Sequence, residues 1–259
     1  MNGQIASKTI VFAHGLFVTA KSWADWVTFF QAKGYTCYAP ANPCHDGTPQ
    51  QMWENTPEGL GNVTFEDVVE KLAGFIDTLP EKPIVIGHSL GGLSVQKLVE
   101  MGKAAAGVCI DGAAPAGIIP TQWSFLKSNL PVLNPFKGDS VFFPTKKWFH
   151  YTFGNTLSRE ESDKAFDELV VPESRNIPRG TTKSFAKINF DKPHVPLLFI
   201  AGEKDHIIPK SLNEKNFKAY NDKGSKREFK VFENRGHFIC GDKNWQQVAT
   251  YVNHWIDQN

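Results

Sequence analysis

With 259 residues, 41% of them hydrophobic, the chain carries enough apolar side chain to bury a full core, which excludes a disordered protein and fits one large α/β domain or a domain with an insertion. Lys and Arg number 28 against 27 Asp and Glu, a formal net charge of +1, and no basic stripe stands ready to displace counterions from a phosphate backbone, so nucleic acid is not an expected partner. No stretch approaches the roughly 18 to 20 apolar residues that a membrane-spanning helix needs, so a membrane is not expected either.

Residues 1–8 are polar, with no apolar h-region of useful length and no small-residue cleavage site, and the expectation is a soluble cytoplasmic protein. Apolar runs of strand length follow at 9–13, 35–39, 83–87, 106–111, 196–201 and 228–232. They are continuous rather than alternating, as strands covered on both faces are. Between them the spacing predicts amphipathic helices at 22–33, 64–79, 91–101, 211–220 and 245–257. Strands alternating with such helices imply right-handed crossovers and a parallel sheet. The segment 113–190 breaks the alternation: no convincing strand is visible, and Pro, Phe and Trp are dense. It reads as an inserted lid with short helices of its own, for example 145–153 and 158–168, leaving 1–112 and 191–259 as the core. Cys37, Cys44, Cys109 and Cys240 show no Cys-x-x-Cys spacing and read as reduced thiols that pack as small hydrophobes.

The run from Ile84 to Gly92 places Gly87-His88-Ser89-Leu90-Gly91 directly after a buried strand and before a helix. A nucleophile on so sharp a turn exposes its hydroxyl in strained backbone geometry, and neighbours two residues away on each side must lack side chains. The following helix aims its first amides and its positive dipole end at the same point, which favours a developing oxyanion. A serine alone is a poor nucleophile, so a base and an acid are needed, in chain order Ser, acid, His. His237, in Gly236-His237 between the last strand and the last helix, is the candidate base. Asp205 is the favoured acid because its polar loop, closed by Pro209, can hold a carboxylate toward the base. Asp111 is the second candidate, at the end of the fourth strand, and Glu203 the third. The loop after the first strand, His14-Gly15-Leu16-Phe17, offers the amide of Leu16 or Phe17 as an oxyanion donor beside that of Leu90.

These four features, His-Gly after the first strand, Gly-His-Ser-Leu-Gly-Gly after the third, Gly-x-x-Asp-x-x-x-Pro after the fifth and Gly-His after the sixth, resemble the α/β-hydrolase superfamily over nearly the whole chain outside the lid. The resemblance implies an α/β-hydrolase fold lacking its first two strands: six strands, essentially parallel, with a helical cap inserted after the fourth. It also implies acyl transfer to water through an acyl-enzyme on Ser89, without cofactor or metal, with carboxylic ester hydrolysis as the default. Ser rather than Asp at the nucleophile argues against the dehalogenase and epoxide-hydrolase branches. A hydroxynitrile lyase, a perhydrolase-type haloperoxidase and a cofactor-free dioxygenase are alternatives on the same fold, and a near-inactive ligand-binding receptor is another.

The lid aromatics mostly pack the lid onto the core, but Trp123, Phe125, Phe143 and Trp148, with Phe238 after the base, are candidates to line a pocket for a small to medium hydrophobic ester. Cys44-His45-Asp46 has no further ligand at usual metal spacing, and His14 and His88 read as structural. The sequence leaves a homodimer open.

Overall fold

The computed structural model describes residues 5–138 and 140–259, so part of the polar 1–8 stretch, and Asp139 in the expected lid, lie outside the described residues. In chain order the elements are β1 (Thr9–Ala13), α1 (Ala24–Gln31), β2 (Thr36–Tyr38), α2 (Pro49–Glu54), α3 (Phe65–Asp77), β3 (Ile84–His88), α4 (Leu90–Glu100) and β4 (Ala106–Ile110). Between β4 and the next strand of the main sheet lie α5 (Trp123–Leu133), β5 (Val141–Phe142), α6 (Lys146–Thr152), α7 (Arg159–Leu169), β6 (Glu173–Ser174) and α8 (Asn176–Gly180). The chain then returns with β7 (Leu197–Gly202), α9 (Lys210–Ala219), β8 (Arg227–Phe232) and α10 (Trp245–Gln258).

Six strands form one all-parallel sheet in the order β2-β1-β3-β4-β7-β8. Strand residues alternate between two cores, and both are apolar, which is why no alternation is visible in the sequence. Val11, Val85, Leu197 and Phe199 pack with α3 and α4 on one face. Ile10, Phe12, Ile86 and Leu198 pack with α1 and α10 on the other. The central helix α4 is buried along almost its whole length, from Leu90 to Val99. At the mouths of the elements, side-chain caps set the starts: Thr64 and Asp67 form a capping box on α3, and Ser158 and Glu161 another on α7.

Two expectations are corrected. The segment 113–190 does contain strands: β5 and β6 pair antiparallel, Val141 with Ser174 and Phe142 with Glu173. Two residues each is too short for any period to register. The first helix begins later than residue 22, because Ala20–Trp23 form a tighter 3₁₀ turn capped by Thr19 before α1 starts.

Candidate active site

Ser89 sits between β3 and α4 with φ 57° and ψ −120°, a left-handed position that costs a non-glycine residue energy and persists because its surroundings fix it. Its amide donates to the Ile110 carbonyl at 2.9 Å, and its own carbonyl accepts from Gly92 and Ala113. The flanking glycines are obligatory. A Cβ on Gly87 would lie 2.1 Å from the Gly91 carbonyl oxygen, and one on Gly91 2.0 Å from that of Ala13. Gly15 approaches from the β1 loop, where a Cβ would stand 2.9 Å from Ser89 Cβ.

His237 is fully buried, and its Nδ1–H donates to Asp205 Oδ2 at 2.6 Å. The other Asp205 oxygen, Oδ1, accepts the amides of Ile207 at 2.8 Å and Ile208 at 2.9 Å, a side-chain turn that locks the carboxylate. His237 Nε2 is left buried with no hydrogen-bond partner among the described residues, and Ser89 Oγ is not hydrogen-bonded to it. Ser89 and His237 are nonetheless neighbours: His88, next to the serine, donates from Nε2 to the His237 carbonyl at 2.9 Å, and the two rings lie 4.6 Å apart. The loop carrying His237 is braced by a buried Arg235–Asp242 pair with two contacts of 2.6 Å, which the sequence did not single out.

Asp111, the second candidate acid, faces the same system from the end of β4. Its Oδ1 accepts the Gly202 amide at 2.7 Å, while Oδ2 meets no donor. Burial and the neighbouring Asp205 charge push the Asp111 carboxyl well above its ordinary range. Burial raises Asp205 too, but the amides of Ile208 and Ile207 oppose it, whereas the Asp205 charge adds to the rise at Asp111, which makes Asp205 the member better suited to carry the charge. Glu203, the third candidate, is partly exposed and accepts the Asn234 amide at 3.0 Å, away from the imidazole. His88, Asp111 and His237 place ligand-type atoms within 4.8 Å of one another, the grouping a metal ion needs, but it lies within this carboxylate–imidazole system.

Of the proposed oxyanion donors, Leu90 is the first residue of α4, where an amide has no partner inside the helix. The amide of Leu16 has no acceptor among the described residues. The Phe17 amide is already committed: it donates to Glu173 Oε2 at 3.2 Å. Phe17 is thereby corrected as a donor. Glu173 also meets His45 Nε2 at 3.1 Å, and His45 Nδ1 donates to the Pro43 carbonyl at 2.8 Å. Acceptors at both nitrogens favour the protonated ring of His45. Burial works against that charge, but the Glu173 carboxylate, the Pro43 carbonyl and Asp46 raise its pKa above 6.5. His14 is the reverse case, with Nε2 accepting from the Asn42 amide, and burial lowers it to about 3.

A cavity of about 310 Å³ opens beside Ser89, Leu16 and Leu90. Its wall is aliphatic: Ala113 to Pro120 follow β4 along one side, with Ile207, Ile208 and Leu212 opposite. Phe125 lines it. Trp123 and Phe143 do not: Trp123 is 72% exposed because α5 turns Phe125, Ser128 and Val132 inward and Trp123, Leu126 and Leu130 outward, and Phe143, just after β5, is 51% exposed with its ring against Trp53. Trp148 instead packs behind the β1 loop, its ring 4.9 Å from Phe17 and 5.2 Å from Phe142, and Nε1 donates to the Ser128 carbonyl. Phe238 lines a separate void of about 30 Å³ with Phe149 and Phe153. The wall has a sequence signal, the small and aliphatic run Ala113 to Pro120 that follows β4.

Burial lowers His237 to about 3 and His88 well below 6.5, alongside His14. All three are neutral when folded and protonate near 6.5 when unfolded, so the unfolded chain binds more protons below pH 6.5 and stability falls with acid. Urea unfolding between pH 7 and pH 5 should lose stability with decreasing pH, roughly 1.4 kcal/mol per pH unit for each histidine once below 6.5. A flat profile would contradict the neutral assignments.

Residues 10–250 match the alpha/beta hydrolase family, and the chain belongs to it. Solved structures with the same fold include tomato methylketone synthase I complexed with 2-tridecanone, 20% identical with a TM-score of 0.72 over 98% of this chain and 99% of that one. Others are a monoacylglycerol lipase from Paleococcus ferrophilus, 20% identical at 0.69 over 96% and 94%, and a methylesterase from Arabidopsis, 15% identical at 0.68 over 97% and 99%. No curated protein matches the chain. Among the described residues no helix is long and apolar enough to cross a membrane.

Proposed function

We propose that this chain is a serine hydrolase that cleaves carboxylic esters of small to medium aliphatic substrates. The observation that carries the reading is the buried Asp205–His237 pair, which leaves Nε2 as an unpartnered acceptor beside a serine held at φ 57° on the rim of an apolar cavity. In this reading Ser89 Oγ attacks the carbonyl carbon while its proton passes to His237 Nε2. The amides of Leu90 and Leu16 take the tetrahedral oxyanion, and the imidazolium returns its proton to the leaving alkoxide. Water then repeats the sequence on the acyl-enzyme. Asp205 holds Nδ1–H so that Nε2 is the basic nitrogen and stabilises the imidazolium as it forms. The inserted segment, 113–190, serves as the cap. No cofactor enters this chemistry.

The cavity supports the substrate class. Its polar wall side chains are engaged elsewhere, Asn129 with the carbonyls of Phe125 and Ile207 and Thr181 with that of Pro178, so it presents an apolar surface. Similar folds hold a 2-tridecanone complex and a monoacylglycerol lipase, both consistent with apolar chains. The four cysteines are free, which fits the cytoplasmic reading.

A panel of p-nitrophenyl esters from acetate upward tests this. Each methylene buried in the cavity is worth about 0.8 kcal/mol, so kcat/KM should rise about fourfold per carbon until the cavity fills. Ala116→Phe, which narrows the wall, should move the optimum to shorter chains. Equal turnover of acetate and octanoate, or none of any ester, would sink the substrate assignment.

A further inference from the structure

We infer that Glu173 is a positioning residue for the oxyanion hole: from the inserted segment it grips Phe17 and thereby aims the amide of Leu16 at the reacting carbonyl. The inference rests on the hydrolase reading of the site. Both polar groups of Phe17 are tied to one short stretch of the inserted segment. Its amide donates to Glu173 Oε2 at 3.2 Å, and its carbonyl accepts from the Val171 amide at 2.8 Å. Phe17 has φ 67°, a region a bulky L-residue enters only when held there. Its ring is held as well, 4.9 Å from Trp148 and 6.0 Å from Phe153. The chain on its other side is pinned by Gly15 against Ser89, so Leu16 is suspended between two fixed points.

A carboxylate suits this position. Oε2 receives two donors, the Phe17 amide and His45, and Oε1 accepts the Ser174 amide at 2.8 Å, all in a pocket with no solvent exposure. Alanine would leave His45 Nε2 and the Phe17 amide buried without partners, whereas glutamine keeps the shape and one acceptor oxygen. The inserted segment is thus part of the machinery as well as a wall of the cavity: if residues 171–173 move, the hole is misaligned.

Amide hydrogen exchange on the wild-type protein, free and after reaction with a fluorophosphonate, tests the geometry. The Phe17 amide should be protected in both states, and the Leu16 amide should gain protection only in the adduct. Protection rising at Phe17 instead of Leu16 would overturn the inference, while failure to form any adduct would count against the hydrolase reading itself. In kinetics, Glu173→Ala should lower kcat roughly 100-fold with KM within about threefold, the mark of an interaction made in the transition state. Glu173→Gln should recover most of that loss. A folded alanine variant with wild-type kcat and only a lower Tm would show a merely structural role and overturn the inference; if alanine prevents folding, the exchange result decides.

Discussion

Replacing Ser89 by alanine is expected to lower kcat for ester hydrolysis by about a million-fold, and His237→Ala by a similar factor, with the double variant no worse than either alone. The two residues act as one unit: without the imidazole the hydroxyl keeps its proton, and without the hydroxyl the imidazole has nothing to activate. Residual catalysis of roughly 10³ to 10⁴ over water should survive from the Leu90 and Leu16 amides and from binding. Ser89→Ala is isosteric enough to keep the strained turn, because the crowding there is met by Gly87 and Gly91 rather than by the serine side chain. Circular dichroism and the unfolding midpoint of the variant should therefore match the wild type, which separates lost chemistry from lost structure. A variant retaining more than about a hundredth of the activity would assign the nucleophile elsewhere.

The two buried aspartates provide the second large contrast. Asp205→Asn should lower kcat about 10⁴-fold near neutral pH, because an amide at Oδ2 can donate to Nδ1, favouring the tautomer whose proton sits on Nε2. Asp111→Asn should cost less than about tenfold, since the amide oxygen still accepts from Gly202 and a neutral side chain replaces a carboxyl whose charged form burial and the neighbouring Asp205 disfavour. Steady-state kinetics on both variants would decide between them. The opposite ranking would make Asp111 the acid and leave Asp205 as a loop brace.

Much of the fold was legible because its signals are local. Each strand of the main sheet is a continuous apolar run, and the helices flanking it carry one-sided apolar faces, so chain order alone implied a parallel sheet. The elbow was legible for the same reason, Gly87, Ser89 and Gly91 being required within five residues. What escaped was set by distant partners or by elements too short to carry a period. The β5–β6 ribbon is two residues a side, and nothing near Phe17 in the sequence announces that its amide will meet Glu173, 156 residues later. The pocket wall escaped because exposure on α5 depends on which face meets the core, and that face took Phe125 and left Trp123 outside.

Labelling with an active-site-directed fluorophosphonate, with the adduct located by mass spectrometry, tests the central claim most directly. One adduct on Ser89, abolished by both Ser89→Ala and His237→Ala, is the predicted result. A folded wild-type protein that takes up no label, or takes it at another residue, would contradict an activated Ser89.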